Sequence, residues 1–274
     1  MRIAFLGKGG SGKTTTSSFV ARVAAKMYRE LYVIDADINV HMREALGLSS
    51  GEAHEFRQVF EHVEMKIRHY RPDVATLKTL PRTLPPWRLE DRYTLSFEAA
   101  PCKDLRRHDN MLLLELGSYT EDTMGWSCHH SALGTLQLVL AHMNDSEDQL
   151  IIADLTAGAD VFGVGMLGLF DIVFVAVEPT MKSTNIYNQL TDLAATDDVA
   201  LCPIANKIID ESDVQFIETR IGQPVKFTIG MSNFVRRLER GETVETADIE
   251  SPTRQVLGKI VTYMQSVKRD EQRM

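Results

Sequence analysis

A doubly wound α/β fold, with a mostly parallel sheet carrying helices on both faces, is what this sequence predicts. Three observations carry that prediction. Strand-like and helix-like segments alternate along the chain. The strand segments, such as RIAFL (2–6) and DIVFVAVEP (171–179), are continuous apolar runs, as strands buried on both faces are. The first of them runs straight into a glycine-rich turn, GKGGSGKT, that opens a helix.

The elements follow in order. After the strand at 2–6, a helix is expected from Lys13 to about Tyr28, with Phe19, Val20, Val23, Ala24 and Met27 on one face. LYVIDAD (31–37) reads as a second strand ending in two acids, and 39–47 as a short helix closed by Gly47. The stretch from about 51 to 110 reads as a surface excursion. It holds a helix over HEFRQVFEHVEMKIRHY with the stripe Phe56, Val59, Phe60, Val63 and Ile67. It then holds a segment in which Pro72, Pro81, Pro85 and Pro86 forbid a long helix or central strand. YTLSFEAA and NMLLLEL are predicted strands, and 130–143 a helix. Strands at 149–158, 171–179, 199–207 and 224–229 alternate with helices running to about Ala195 and near 211–221, 232–240 and 252–269.

Length and composition set bounds. The 274 residues, 44% hydrophobic and 25% charged, suit one soluble domain over 1–274 with a sizeable core. No stretch approaches the roughly 18 apolar residues of a membrane span, and Lys8 interrupts the N-terminal apolar run too early for a signal peptide. The net charge of −8 disfavours nucleic acid and anionic membranes as partners. Three widely spaced cysteines, Cys102, Cys128 and Cys202, fit a reducing cytoplasm better than a disulfide framework.

Gly7 to Thr14 matches the phosphate-binding pattern G-x-x-x-x-G-K-[ST]. Glycines let successive N–H groups turn inward, and the following helix adds its positive end. Gly9, Gly10, Ser11, Gly12, Lys13, Thr14 and Thr15 are thereby the expected anion cradle. Lys13 can reach the β/γ-phosphates, and the Thr14 hydroxyl can ligate Mg²⁺. Asp35 and Asp37 end one strand and point the same way, and Asp154 ends another. Strand C-termini are where a doubly wound sheet binds ligands. Asn206, after a further strand, offers a donor and an acceptor to a base edge. A guanine reader would place an acid three residues after Asn206, and Ile209 stands there, so ATP is favoured over GTP.

The second lysine of the loop, Lys8, is distinctive. KGGSGKTT resembles the variant phosphate loop of the MinD/ParA-type ATPases. The resemblance implies that Lys8 crosses a dimer interface to the nucleotide of the other subunit, making ATP a clamp between two copies. It implies that Asp37 positions or activates the attacking water and that Asp35 sits near the metal or supports the loop. It further implies that Asp154 holds Mg²⁺ through water, with the turn at Gly158 sensing the γ-phosphate. DADIN, DLTAGADVFGVG and VEPTMKS resemble segments of the CooC-like branch, whose members serve nickel insertion into a metalloenzyme. That branch carries Cys-x-Cys ahead of a helix at the dimer interface. Here the comparable stretch is Trp126-Ser127-Cys128-His129-His130, with one cysteine replaced. Cys128 with His129 or His130, doubled by a symmetric dimer, could still hold Ni²⁺ or Zn²⁺.

His54, His62 and His69 are too far apart on one predicted helix, about 10 Å per step, to chelate one ion. Two other roles compete: a positioning or partition ATPase acting on DNA or membrane, and a nucleotide-controlled interaction module with negligible turnover. Against the first, the C-terminal stripe Val256, Leu257, Ile260, Val261 and Met264 reads as a helix docked on the domain.

Overall fold

Eight parallel strands form the centre of the computed structural model, in the order β10-β9-β8-β1-β7-β2-β5-β3. The structure describes residues 1–37, 40–70, 92–117, 129–156, 165–196, 199–242 and 244–271. The strands are β1 (Arg2–Gly7), β2 (Glu30–Ala36), β3 (Ala53–Glu55), β5 (Met111–Glu115), β7 (Gln149–Leu155), β8 (Ile172–Val177), β9 (Leu201–Ile208) and β10 (Phe227–Gly230). Two short strands, β4 (Tyr93–Thr94) and β6 (Met143–Asn144), pair separately. The order reverses at β1: β7, β2, β5 and β3 lie on one side, and β8, β9 and β10 on the other. A ligand crevice opens at such a reversal, beyond the strand C-termini.

The apolar runs alternate between two cores because neighbouring strand residues face opposite ways. Ile3, Phe5, Val33, Ile152 and Phe174 face one layer, formed by α1 (Lys13–Ala24), α2 (Met42–Ala45), α7 (Asn233–Glu239) and α8 (Ser251–Glu271). Ala4, Leu6, Ile34, Leu114 and Val175 face the other, formed by α3 (Phe56–Tyr70), α4 (His129–His142), α5 (Met181–Thr196) and α6 (Glu211–Ile221). The C-terminal stripe is docked as expected, with Leu257, Ile260, Val261 and Met264 buried. Local signals end the elements. Asp210 caps α6 by accepting from Ser212 N at 2.8 Å, and Gly222 closes that helix at φ 72°.

The stretch at 51–110 needs correction. Ala53–Glu55 pairs with β5 and is the edge strand of the central sheet, so His54 precedes the helix rather than belonging to it. The α3 stripe Phe56, Val59, Phe60, Val63 and Ile67 is buried in the main core. Residues 53–70 are therefore part of the sheet and its covering layer, not of a surface excursion. The expected strand YTLSFEAA is a strand only at Tyr93–Thr94. Leu95 and Phe97 still turn inward, but the Phe97 N–H donates to the Glu30 carboxylate at 3.2 Å instead of to a neighbouring strand. The prolines at 72, 81, 85 and 86 lie outside the described residues.

Candidate functional site

The phosphate loop joins β1 to α1 at the point where the sheet order reverses. Gly10 and Gly12 have φ 82° and 87°, conformations that a side chain disfavours. At Gly12 a Cβ would also collide with the Asn206 side chain. The α1 N-terminus has no capping side chain and no acid in its first turn, which suits its first N–H groups to an anion. A cavity of about 670 Å³ opens over the loop. Gly9, Gly10, Gly12, Lys13, Thr14, Thr15, Asp37 and Asn206 line it, and Ile229, Met231, Ser232, Val235 and Arg236 form its far wall. Ser11 lies beneath, fully buried, its N–H donating to Lys8 O at 2.9 Å.

The sheet register brings the acids together. Asp154, Asp35 and Glu115 occupy matching positions on β7, β2 and β5. Asp35 is fully buried. Its Oδ2 accepts from His41 N at 3.0 Å and Met42 N at 2.8 Å, and its Oδ1 from Asp37 N at 3.3 Å. Both oxygens are thus engaged by the chain that follows β2. Burial pushes the Asp35 carboxyl up to about 6, against those backbone bonds, which favour the charged form. Burial likewise pushes Asp154 up to about 7, opposed by the Lys13 charge and the Thr14 hydroxyl.

Lys13 is bonded to Asp37. Burial pulls its ammonium down, but the charges of Asp154, Asp37 and Asp35 and the bond to Asp37 leave it above its ordinary value. Thr14 Oγ1 donates to Asp154 Oδ2 at 2.5 Å. Asp154 Oδ1 is buried with no hydrogen-bond partner among the described residues. A hydroxyl oxygen beside a carboxylate oxygen that lacks a partner is a donor set that fits a hard divalent cation and its waters.

On the far side of the loop, Glu178 and Lys207, to which sequence reasoning gave no role, join Lys8 and Asn206, to which it did. Lys8 Nζ is 2.8 Å from Glu178 Oε1 and also donates to Gly9 O at 3.1 Å. Lys207 Nζ donates to Gly10 O at 2.5 Å and lies 3.5 Å from Glu178 Oε2. Asn206 is buried in the cavity wall, and its Nδ2 donates to Ser11 O at 2.8 Å. Part of the amide expected to face a base therefore holds the loop. The available signal was positional: Glu178 follows β8, the strand that pairs with β1 up to Gly7.

Of the suspected transition-metal residues, Cys128 lies outside the described residues, as do Gly158, Trp126 and Ser127. His129 and His130 open α4. Among the described residues no group of three or more His, Cys, Asp or Glu is arranged to hold a metal. Cys102 and Cys202 are buried free thiols that burial pushes up to about 12, which makes them poor nucleophiles and ligands. His54 bonds Arg106 O, and His62 packs on Tyr93.

A parallel sheet whose first strand feeds a glycine cradle, ringed by acids at neighbouring strand ends, defines a phosphate-loop nucleotide-binding protein. Residues 3–274 match the CobQ/CobB/MinD/ParA nucleotide binding domain, and the chain belongs to that family of nucleotide-binding ATPases. It is similar to the carbon monoxide dehydrogenase accessory protein CooC of Rhodospirillum rubrum, 26% identical over 81% of this chain and 80% of that one. It is also similar to an uncharacterised ATP-binding protein of Methanocaldococcus jannaschii, 25% identical over 98% of this chain and 99% of the relative. Among solved structures it shares its fold with MinD in the Aquifex aeolicus MinC:MinD cell division complex. That match has a TM-score of 0.61 and 17% identity, over 97% of this chain and 96% of the other. No helix among the described residues is long and apolar enough to cross a membrane.

Proposed function

We propose that this protein is an ATP-driven dimeric switch serving metallocentre assembly, as the CooC-like accessory ATPases do. The observation that carries the ATPase part is the cradle itself: Lys13 and Thr14 are already joined to the two acids, Asp37 and Asp154, that the reaction needs. Similarity to CooC and the DADIN and VEPTMKS segments support the assembly role.

The steps follow from the contacts. A triphosphate entering the loop competes for Lys13 and draws it from Asp37. Asp37, released from Lys13, orients the attacking water and accepts its proton. Thr14 and Asp154 would hold Mg²⁺, which supplies charge neutralisation to the β- and γ-phosphates. Asp35 keeps the chain after β2 in place through its backbone bonds. Lys8 reaches the nucleotide of a second copy and closes the dimer. Asn206 reads adenine with the rest of its amide. The work is done in the cytoplasm, and a client metalloenzyme receives the metal, Ni²⁺ or Zn²⁺, carried by Cys128 with His129 or His130.

The test is metal stoichiometry. Purified protein is loaded with Ni²⁺ or Zn²⁺, with and without a non-hydrolysable ATP analogue, beside Cys128→Ala. One metal per two chains, lost in the variant, is the expected result. No metal in any state would sink the assembly role and favour the positioning or partition reading. Against a membrane form of that reading stands the burial of the α8 stripe.

A further inference from the structure

An acid beside a triphosphate site repels the ligand, so Glu178 calls for a separate explanation. Its carboxylate stands at the C-terminal end of β8, next to the strand that feeds the phosphate loop, with 13% of its side chain exposed. Its N–H donates to Ser183 Oγ at 3.1 Å, which fixes the start of the turn into α5. Each carboxylate oxygen faces a different lysine: Oε1 meets Lys8 at 2.8 Å, and Oε2 meets Lys207 at 3.5 Å.

The two lysines differ in what else holds them. Lys207 has a backbone φ of 61°, which is uncommon for a residue with a side chain, and its Nζ, on a side chain 42% exposed, donates to Gly10 O. Lys8 lies within the loop and bends back onto its own subunit through Gly9 O and Glu178. We propose that Glu178 is a positioning residue that retains Lys8 in the subunit without nucleotide and pairs with Lys207 instead when Lys8 leaves for a second copy. This rests on the reading that Lys8 crosses the interface.

The exchange has a physical logic. A lysine released from a carboxylate leaves an uncompensated, mostly buried negative charge, which opposes release. Lys207, already near Oε2, can close the remaining distance and neutralise it. Retention costs little to break, yet it discourages pairing of subunits before nucleotide draws Lys8 out. Glu178 thereby sets the threshold for dimer formation without touching the reacting atoms.

Sedimentation at a series of protein concentrations, with Mg²⁺ and a non-hydrolysable ATP analogue, tests this. Glu178→Gln is expected to lower the concentration of half-dimerisation roughly five-fold, the worth of one partly exposed ion pair. Glu178→Asp, which keeps the charge on a shorter stem, falls between it and wild type. Lys8→Ala does not dimerise, and Glu178→Gln changes nothing in that background. A midpoint unchanged or raised in Glu178→Gln overturns the proposal, as does a shift that persists when Lys8 is alanine. A Lys8→Ala protein that dimerises like wild type overturns the crossing role itself, and the retention role with it.

Discussion

Thr14 and Asp154 are 140 residues apart in sequence, yet the Thr14 hydroxyl donates to the Asp154 carboxylate at 2.5 Å. The contact joins the first turn of α1 to the end of β7, across the register of two adjacent parallel strands. Among the described residues only one Asp154 oxygen is engaged, and the other is buried without a partner. The fold thus keeps a carboxylate in a place that suits a cation better than it suits the core.

That conflict is measurable as a pH dependence. Asp35 and Asp154 stand at about 6 and about 7, above the ordinary 3.8, because burial disfavours their charged forms. Between pH 4 and 7 the folded state therefore binds more protons than the unfolded one. Stability of the nucleotide-free protein falls as pH rises through that window, by up to ~1.4 kcal/mol per pH unit for each group. Thermal melts should give a higher Tm at pH 5.5 than at 7.5. Asp154→Asn should flatten the profile and raise the Tm at pH 7.5 while losing Mg²⁺-dependent nucleotide binding. A wild-type Tm that rises from pH 5.5 to 7.5 would contradict the cause assigned here.

The Lys13–Asp37 bond makes a prediction with two opposite signs. Asp37→Ala removes the group that orients water, so turnover should fall at least about 100-fold. It also removes the partner that competes with phosphate for Lys13. Affinity for Mg-ATP should therefore rise, by about two- to ten-fold. Single-turnover assays and equilibrium titration separate the two effects. Weaker binding in the variant would mean that Asp37 helps to hold the nucleotide complex together.

How much of this was legible in the sequence depended on whether a signal was local. The cradle from Gly7 to Thr14 was readable because phosphate chemistry demands those residue types at that spacing. Asp35 and Asp154 were readable as strand-end acids, since a run such as LYVID has one outlet. The edge strand Ala53–Glu55 was not readable: three residues have no periodicity, and they form a strand only because β5 offers an open edge. Phe97 alternates like a strand residue, but its N–H is taken by Glu30, 67 positions away. Glu178 and Lys207 were visible as residues but not as a pair, because parallel pairing of β8 with β9 brings their strand ends together.

Gly12 offers a separable test of backbone against side chain. Its φ of 87° is strained for any residue with a Cβ, and that Cβ would also meet Asn206. Gly12→Ala should cost about 1–2 kcal/mol in stability from the conformation alone. It should also abolish nucleotide binding, because the loop must open to admit the methyl group. Adding Asn206→Gly removes the collision but not the strain. The double variant should regain part of its Tm and little of its binding. Full recovery of both would show that the left-handed conformation is not what the cradle requires.

Asn206 joins two functions that one substitution can tell apart. Its Nδ2 holds Ser11 O at 2.8 Å, so the residue shapes the loop from behind, and it also lines the cavity. A group that only reads the base matters for ATP and not for inorganic tripolyphosphate, which has no base. A group that holds the loop matters for both, because the inward N–H array depends on where Ser11 sits. Loss of a buried, well-formed hydrogen bond is worth about 1 kcal/mol, or roughly five-fold in affinity. Asn206→Ala is therefore expected to weaken tripolyphosphate roughly five-fold and ATP by a larger factor, the excess being the share owed to adenine. Competition of each ligand against a fluorescent nucleotide measures both factors on one protein. Equal losses would leave the amide as a loop brace alone. An unchanged tripolyphosphate affinity would show that the bond to Ser11 does not shape the cradle.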